Sequence, residues 1–164
     1  MSGKGTPATR AAEAARITYR MHEYEHVAGS GSYGQEAAEA LGVDATRVHK
    51  TLVATVERNG RSELVVAIVP VDAQLDLKAL AIAIGAKRAD MAPPADVERT
   101  TGYVLGGVSP LGQRKRLTTV LDDGAEAFDT IYVSAGRRGL EIELAPADLL
   151  RLTGGRLAPL AKRG

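Results

Sequence analysis

A chain of 164 residues, 45% hydrophobic and 25% charged, has the length and composition of one ordinary globular domain. It has no cysteine, which excludes a thiolate nucleophile, a Cys-ligated zinc and any disulfide framework, and its net charge of +1 confines any basic surface to local patches. No apolar run approaches the roughly 18 residues of a membrane span and no apolar stretch follows the N-terminal charges as in a signal, so a soluble, cytoplasmic protein without a membrane partner is expected.

Residues 1–6 read as a flexible N-terminus and residues 7–164 as a single domain. Thr6-Pro7 supplies an N-cap and first-turn pair for an Ala-rich helix to about Arg16. Ile17, Tyr19 and Met21 alternate with polar residues, predicting a strand toward Tyr24 that Gly29-Ser30-Gly31 ends. Ser32 with Gln35 is a capping-box signature for a helix over Gln35–Leu41, closed by Gly42. Two β-branched runs, Val48–Glu57 and Glu63–Val69, flank Asn59-Gly60 and predict a hairpin. Asp76 caps a helix through Ile84, Pro93-Pro94 starts a short helical turn before Gly102, and Tyr103–Leu105 reads as extended. Strands over Leu117–Leu121, Thr130–Ser134 and Leu140–Leu144 precede a helix from Pro146 through Leu152. The connections are too short for a regular βαβ series, so the pattern predicts an α+β fold, a mixed, barrel-like β-sheet with surrounding helices.

Several constellations have the residue types for chemistry. His22-Glu23-Tyr24-Glu25-His26 matches the H-E-x-x-H pattern of zinc proteases, but the alternation before it argues for a strand. On a strand, positions four apart lie roughly 13 Å from each other, too far to share one metal. Lys50 falls on the same strand face as Val48, Leu52, Ala54 and Val56. Such a lysine either snorkels to solvent or stands as a cation at the mouth of a pocket for an anionic ligand. Gly106-Gly107-Val108-Ser109-Pro110-Leu111-Gly112 is a glycine-rich loop whose N–H groups suit close approach to a ligand or a developing negative charge, or which is only a turn. Arg114-Lys115-Arg116 and Arg137-Arg138 set cations beside glycine turns, which suits phosphate contacts and solvated surface equally. None of the three histidines lies in a recognisable nucleophile-elbow motif.

Tyr24-Glu25-His26, Val48-His49-Lys50-Thr51-Leu52, Gln74-Leu75-Asp76-Leu77, the block from Thr101 to Gln113, and Ile131-Tyr132-Val133-Ser134 together resemble the YbaK family, in the same order and with similar spacing. These are free-standing Cys-tRNA(Pro) deacylases, related to the editing insertion of bacterial prolyl-tRNA synthetases. The resemblance implies a barrel-like α+β fold, hydrolysis of the ester between an amino acid and the terminal adenosine of tRNA, and no metal or other cofactor. It implies that Lys50 holds the phosphate near the tRNA 3′ end, that Gly106 presents backbone near the scissile carbonyl, and that Tyr24, Tyr33, Thr51 and Ser134 line the aminoacyl pocket beside Gly107. Glu141 completes the catalytic set with Lys50 and Gly106, although it stands where the family carries Asp; Tyr33 stands where Phe is common. In YbaK-like enzymes the substrate's own cysteine thiol attacks its ester, forming a thiolactone, so no protein nucleophile is required. The partners implied are aminoacylated tRNA and prolyl-tRNA synthetase. Two other readings stay open: a sister deacylase that removes alanine from Ala-tRNA(Pro), and a non-catalytic module that binds aminoacyl-tRNA ends or a synthetase.

Overall fold

The computed structural model describes residues 5–25 and 33–163. Helix α1, Pro7–Ala15, begins where Thr6 accepts the Thr9 N–H at 3.1 Å while the Thr9 hydroxyl oxygen accepts the Thr6 N–H at 2.9 Å. That reciprocal cap satisfies two N–H groups that would otherwise be orphaned. The Thr6 hydroxyl also donates to the Ala135 carbonyl at 2.5 Å, tying the helix start to a strand 129 residues away. Strand β1, Tyr19–Glu23, follows. Helix α2, Tyr33–Leu41, ends at Gly42 with φ +69°. Ser32 and His26 lie outside the described residues, as does the side chain of Tyr33, so the capping-box expectation and half of the H-E-x-x-H pattern fall there.

Strands β2, His49–Arg58, and β3, Arg61–Pro70, form the expected hairpin. Arg58 pairs with Arg61 across a two-residue loop in which Asn59 (φ 55°) and Gly60 (φ 76°) both take left-handed conformations. A type I′ turn requires that backbone, and Asn-Gly accepts it at low cost. After β4, Gln74–Leu75, helix α3 runs Leu77–Ile84, with Asp76 accepting the Ala79 N–H at 3.1 Å and Gly85 closing it. Strand β5, Arg88–Met91, and helix α4, Pro94–Thr101, lead into a long loop, then β6, Thr118–Asp122, and a 3₁₀ turn over Asp123–Ala127. Strands β7, Ile131–Arg137, and β8, Leu140–Leu144, helix α5, Pro146–Thr153, and strands β9, Arg156–Ala158, and β10, Ala161–Lys162, complete the chain.

The mixed α+β architecture is the expected one, but the described strands do not close into a single barrel. They form a five-stranded sheet in the order β5-β2-β3-β6-β9, an antiparallel three-stranded sheet β1-β8-β7, and a two-stranded pair β10-β4. A single parallel bridge, Val48 to Tyr132, joins the two larger sheets. Between them lies the main core: Val53, Val66, Ile68 and Leu121 face Ile131, Val133, Ile142 and Leu144, with Ala8 and Ala12 of α1 and Leu149 of α5 closing the ends. The opposite face of the β2–β3 hairpin, carrying Ala54, Val56, Val65, Ala67 and Val69, is buried under Leu80 and Ile84 of α3. This double burial explains why both hairpin strands are apolar runs with little alternation.

One expectation is corrected. Tyr103–Leu105 is not a strand: the Tyr103 hydroxyl is drawn into the core, where it donates to the Leu111 carbonyl at 2.6 Å, and the chain then turns. Ala54 and Val56 lie on the Lys50 face and sit beneath α3. The sequence reading also missed β4, β5, β9 and β10, each of two to four residues. No helix among the described residues is long and apolar enough to cross a membrane.

Candidate active site

Along its first half, β2 has β3 on one side and, among the described residues, no continuous neighbour on the other. The bridge at Val48 holds β7 against it, and β5 takes up the same edge only from Ala54. In the gap between lies a cavity of about 350 Å³. Lys50, Thr51 and Leu52 line it from β2, Ser134 and Glu141 from β7 and β8, and Tyr24, Leu105, Gly106 and Val108 from the loops above. Because the cavity meets the edge of β2, residues from both faces of the strand reach it, and His49 joins Lys50 in the lining.

Six of the eight expected site residues therefore converge: Tyr24, Lys50, Thr51, Gly106, Ser134 and Glu141. Tyr33 opens α2, beside the lining residue Gly34, but its side chain lies outside the described residues. Gly107 is not among the lining residues. A Cβ placed on it would stand 2.8 Å from the Arg137 Cα, so this glycine is where the loop backbone presses against β7. That close approach makes Gly107 a residue of loop placement.

The Lys50 ammonium is half-buried; burial lowers its pKa, and the nearby Asp72 carboxylate counters that effect. Asp72 itself pairs with Arg163 at 3.0 Å. On the far wall Glu141 faces Ser134 across one ladder and His22 across the other, and it is only 7% exposed. Burial pushes its carboxyl up to about 8. A group in that state is largely protonated near neutrality, donates a hydrogen bond, and exchanges its proton at working pH. Tyr24 is pushed up as well, first by burial and then by Glu141. The Ser134 hydroxyl oxygen accepts the Gly136 N–H at 3.1 Å, which orients the side chain at the bulge between Ser134 and Arg137.

The glycine loop is held from below. Tyr103 is fixed to Leu111, the Leu111 N–H donates to the hydroxyl of the fully buried Ser109 at 3.2 Å, and the Gln113 amide donates to the Ser109 carbonyl at 2.9 Å. Burial pushes Tyr103 up to about 12, so it stays a hydrogen-bond donor at any working pH. Above this anchor the Gly107 N–H closes a turn onto the Val104 carbonyl at 3.0 Å, and Gly106 takes φ +91° at its tip, a conformation that favours glycine.

Sequence reasoning missed His49 and the apolar wall made by Val71, Leu105 and Val108. The His49 Nδ1 lies 3.1 Å from the Arg47 carbonyl, to which it donates, leaving Nε2 as an acceptor; burial lowers the ring's pKa, and among the described residues neither Nε2 nor the Thr51 hydroxyl has a hydrogen-bond partner. The cation clusters do not line this cavity. Lys115 and Arg116 line a separate open groove of about 530 Å³ with Arg58 and Arg99, while Arg137 and Arg138 pair with Glu23 and Glu36 at 3.4 and 3.2 Å. His22 places Nε2 at 2.9 Å from the Glu143 carboxylate, a cross-strand hydrogen bond.

The family model for the aminoacyl-tRNA editing domain matches residues 30–152. The chain belongs to the aminoacyl-tRNA editing family. All the lining residues but Tyr24 lie within the matched span. Among relatives, the chain is 39% identical over 162 residues to EbsC of Enterococcus faecalis, whose name provisionally makes it a Cys-tRNA(Pro)/Cys-tRNA(Cys) deacylase; the match covers 96% of this chain and 94% of EbsC. It is 36% identical over 135 residues to the multifunctional Ser/Thr-tRNA deacylase ProXp-y of Escherichia coli, covering 82% of this chain and 78% of that one. A solved structure provisionally described as a trans-editing enzyme for prolyl tRNA synthetase superimposes with a TM-score of 0.79 at 25% identity, covering 96% of this editing domain and 99% of the other chain.

Proposed function

We propose that this chain is a free-standing, cytoplasmic trans-editing hydrolase that deacylates mischarged Cys-tRNA(Pro), and that the substrate's own thiol attacks the ester. The observation that carries this reading is the near full-length likeness to EbsC, joined to a cavity of amino-acid size in which, among the described residues, no histidine is paired to a serine.

The residues divide the work by position. Lys50, held on the edge of β2, anchors the phosphate at the tRNA 3′ end; a half-desolvated ammonium binds a phosphate more strongly than an exposed one. Gly106 brings backbone to the ester, and Tyr24, Thr51 and Ser134 enclose the aminoacyl group. Glu141 handles the proton. Its value of about 8 lies close to that of a cysteine thiol, so its ionised form accepts the thiol proton as sulfur adds to the carbonyl carbon. The resulting neutral carboxyl returns that proton to the ribose oxygen as the C–O bond breaks. The products are a cysteine thiolactone, which water opens, and free tRNA. Prolyl-tRNA synthetase is the partner that would supply tRNA(Pro) selectivity.

Deacylation of Cys-tRNA(Pro), Ala-tRNA(Pro) and a Ser-tRNA by purified protein tests the reading. Release from the cysteinyl substrate should be much the fastest. Equal rates on all three refute thiol assistance. Faster release from the seryl substrate favours a second reading, the Ser/Thr-tRNA activity in the name of ProXp-y. Binding without turnover would leave a recognition module.

A further inference from the structure

We infer that the backbone N–H of Thr51 is an oxyanion donor in the cavity, facing the ester carbonyl from the side opposite Gly106; this inference rests on the deacylase reading. The ladder determines where that N–H points. The Val71 N–H donates to the Val48 carbonyl at 2.8 Å, so even-numbered residues of β2 turn their N–H and C=O groups to β3. Odd-numbered residues turn theirs to the opposite edge. There the Arg47 carbonyl accepts the Tyr132 N–H at 3.0 Å and the Val53 carbonyl accepts the Ala92 N–H at 3.1 Å. Thr51 lies between these two contacts, at the stretch where neither β7 nor β5 pairs with β2, and it lines the cavity. Among the described residues no ladder or bridge on that edge includes Thr51, and its N–H makes no backbone bond in a turn, loop or cap.

A strand edge with an unpaired N–H ordinarily meets water or another strand. This one opens into a partly enclosed site beside the half-buried Lys50, on a residue whose neighbours are fixed by a ten-residue hairpin ladder. Such a donor needs no reorganisation when charge develops. When the nucleophile adds to the ester carbon, the carbonyl π pair moves onto oxygen, and the Thr51 N–H hydrogen-bonds that oxyanion. On collapse the pair returns to re-form C=O, and the ribose oxygen leaves with the proton that the nucleophile has lost. The Thr51 side chain takes no part in this step, which is why its residue type would not disclose the role.

Replacing Thr51 with its α-hydroxy-acid counterpart converts the N–H into an ester oxygen and leaves the side chain intact. The result expected for Cys-tRNA(Pro) deacylation is a fall in kcat of about a hundred- to a thousandfold with little change in KM. The same exchange at Thr55, whose N–H belongs to the β5 ladder opposite Asp90, is the control. Thr55 should lose more melting temperature than Thr51 and keep its kcat. An unchanged kcat at Thr51, or a thermal loss there as large as at Thr55, overturns the assignment while leaving the deacylase reading intact. Absence of deacylation by the unmodified protein overturns both.

Discussion

Replacing Glu141 with Gln keeps the shape of the side chain and removes its ionisation, so it isolates what a buried carboxyl costs the fold. The unfolded chain releases this proton near 4.5 and the folded one near 8. Between those values the native state holds more proton than the unfolded state, so stability falls as pH rises, the reverse of a salt-bridged carboxylate. The linkage relation puts the cost at about 1 kcal/mol at about pH 5 and about 4 kcal/mol at about pH 8, a loss of about 3 kcal/mol across the interval. His49 contributes the opposite slope: its pKa is lowered, so its share of stability is present above the usual histidine value and lost on acidification. Comparing wild type with Glu141→Gln at each pH cancels the histidine. Urea unfolding at half-unit steps should show the variant gaining on wild type steadily from pH 5 to pH 8, by about 3 kcal/mol in all. Parallel curves for the two proteins would mean that Glu141 is solvated or paired in the native state, and the proton-transfer role built on its burial would fail with them.

Lys50→Ala should remove most deacylation while moving the melting temperature by no more than about 2 °C, because its charge serves a ligand; a large thermal loss would assign it to the core. Gly107→Ala forces a Cβ against the Arg137 backbone and should cost about 1 to 3 kcal/mol by thermal unfolding, with activity falling further as the Gly106 tip is pushed from the cavity. Leu80→Ala, under the outer face of the hairpin, should cost about 2 to 5 kcal/mol in denaturant unfolding and leave kcat unchanged at temperatures where the protein remains folded.

The residues that announced themselves in the sequence did so by local chemistry. Asn59-Gly60 dictates a turn with two left-handed residues, Asp76 and Gly85 bracket α3, and the three helices opened by proline begin where proline permits. Strands of two to four residues carry no periodicity, and β5, β9 and β10 exist only because neighbouring strands present open edges to them. At the site, Lys50 was visible as a cation interrupting an apolar run, but the choice between snorkelling and ligand binding depended on the missing neighbour at that edge. Glu141 reads as an ordinary strand carboxylate next to Glu143. Their partners separate them: Thr130, His22 and Arg47 bond the Glu143 carboxylate and its pKa is lowered against burial, while burial alone acts on Glu141 and raises it. Gly106 and Gly107 are indistinguishable in sequence, and only the approach of Arg137 assigns one to the cavity and the other to the loop's footing.

The seam between the two sheets has a further consequence for how such a pocket is adjusted. Its walls belong to separate hydrogen-bonded units, fastened at one end by the Val48–Tyr132 bridge and above by the contact of Gly107 with Arg137. Val48 itself lines the pocket, but Tyr132, Gly107 and Arg137 do not. A slightly larger or smaller residue at one of these three would open or narrow the seam as a hinge does, changing which side chains fit while every lining residue stays the same. Residues outside the pocket thus set its width as much as those that line it.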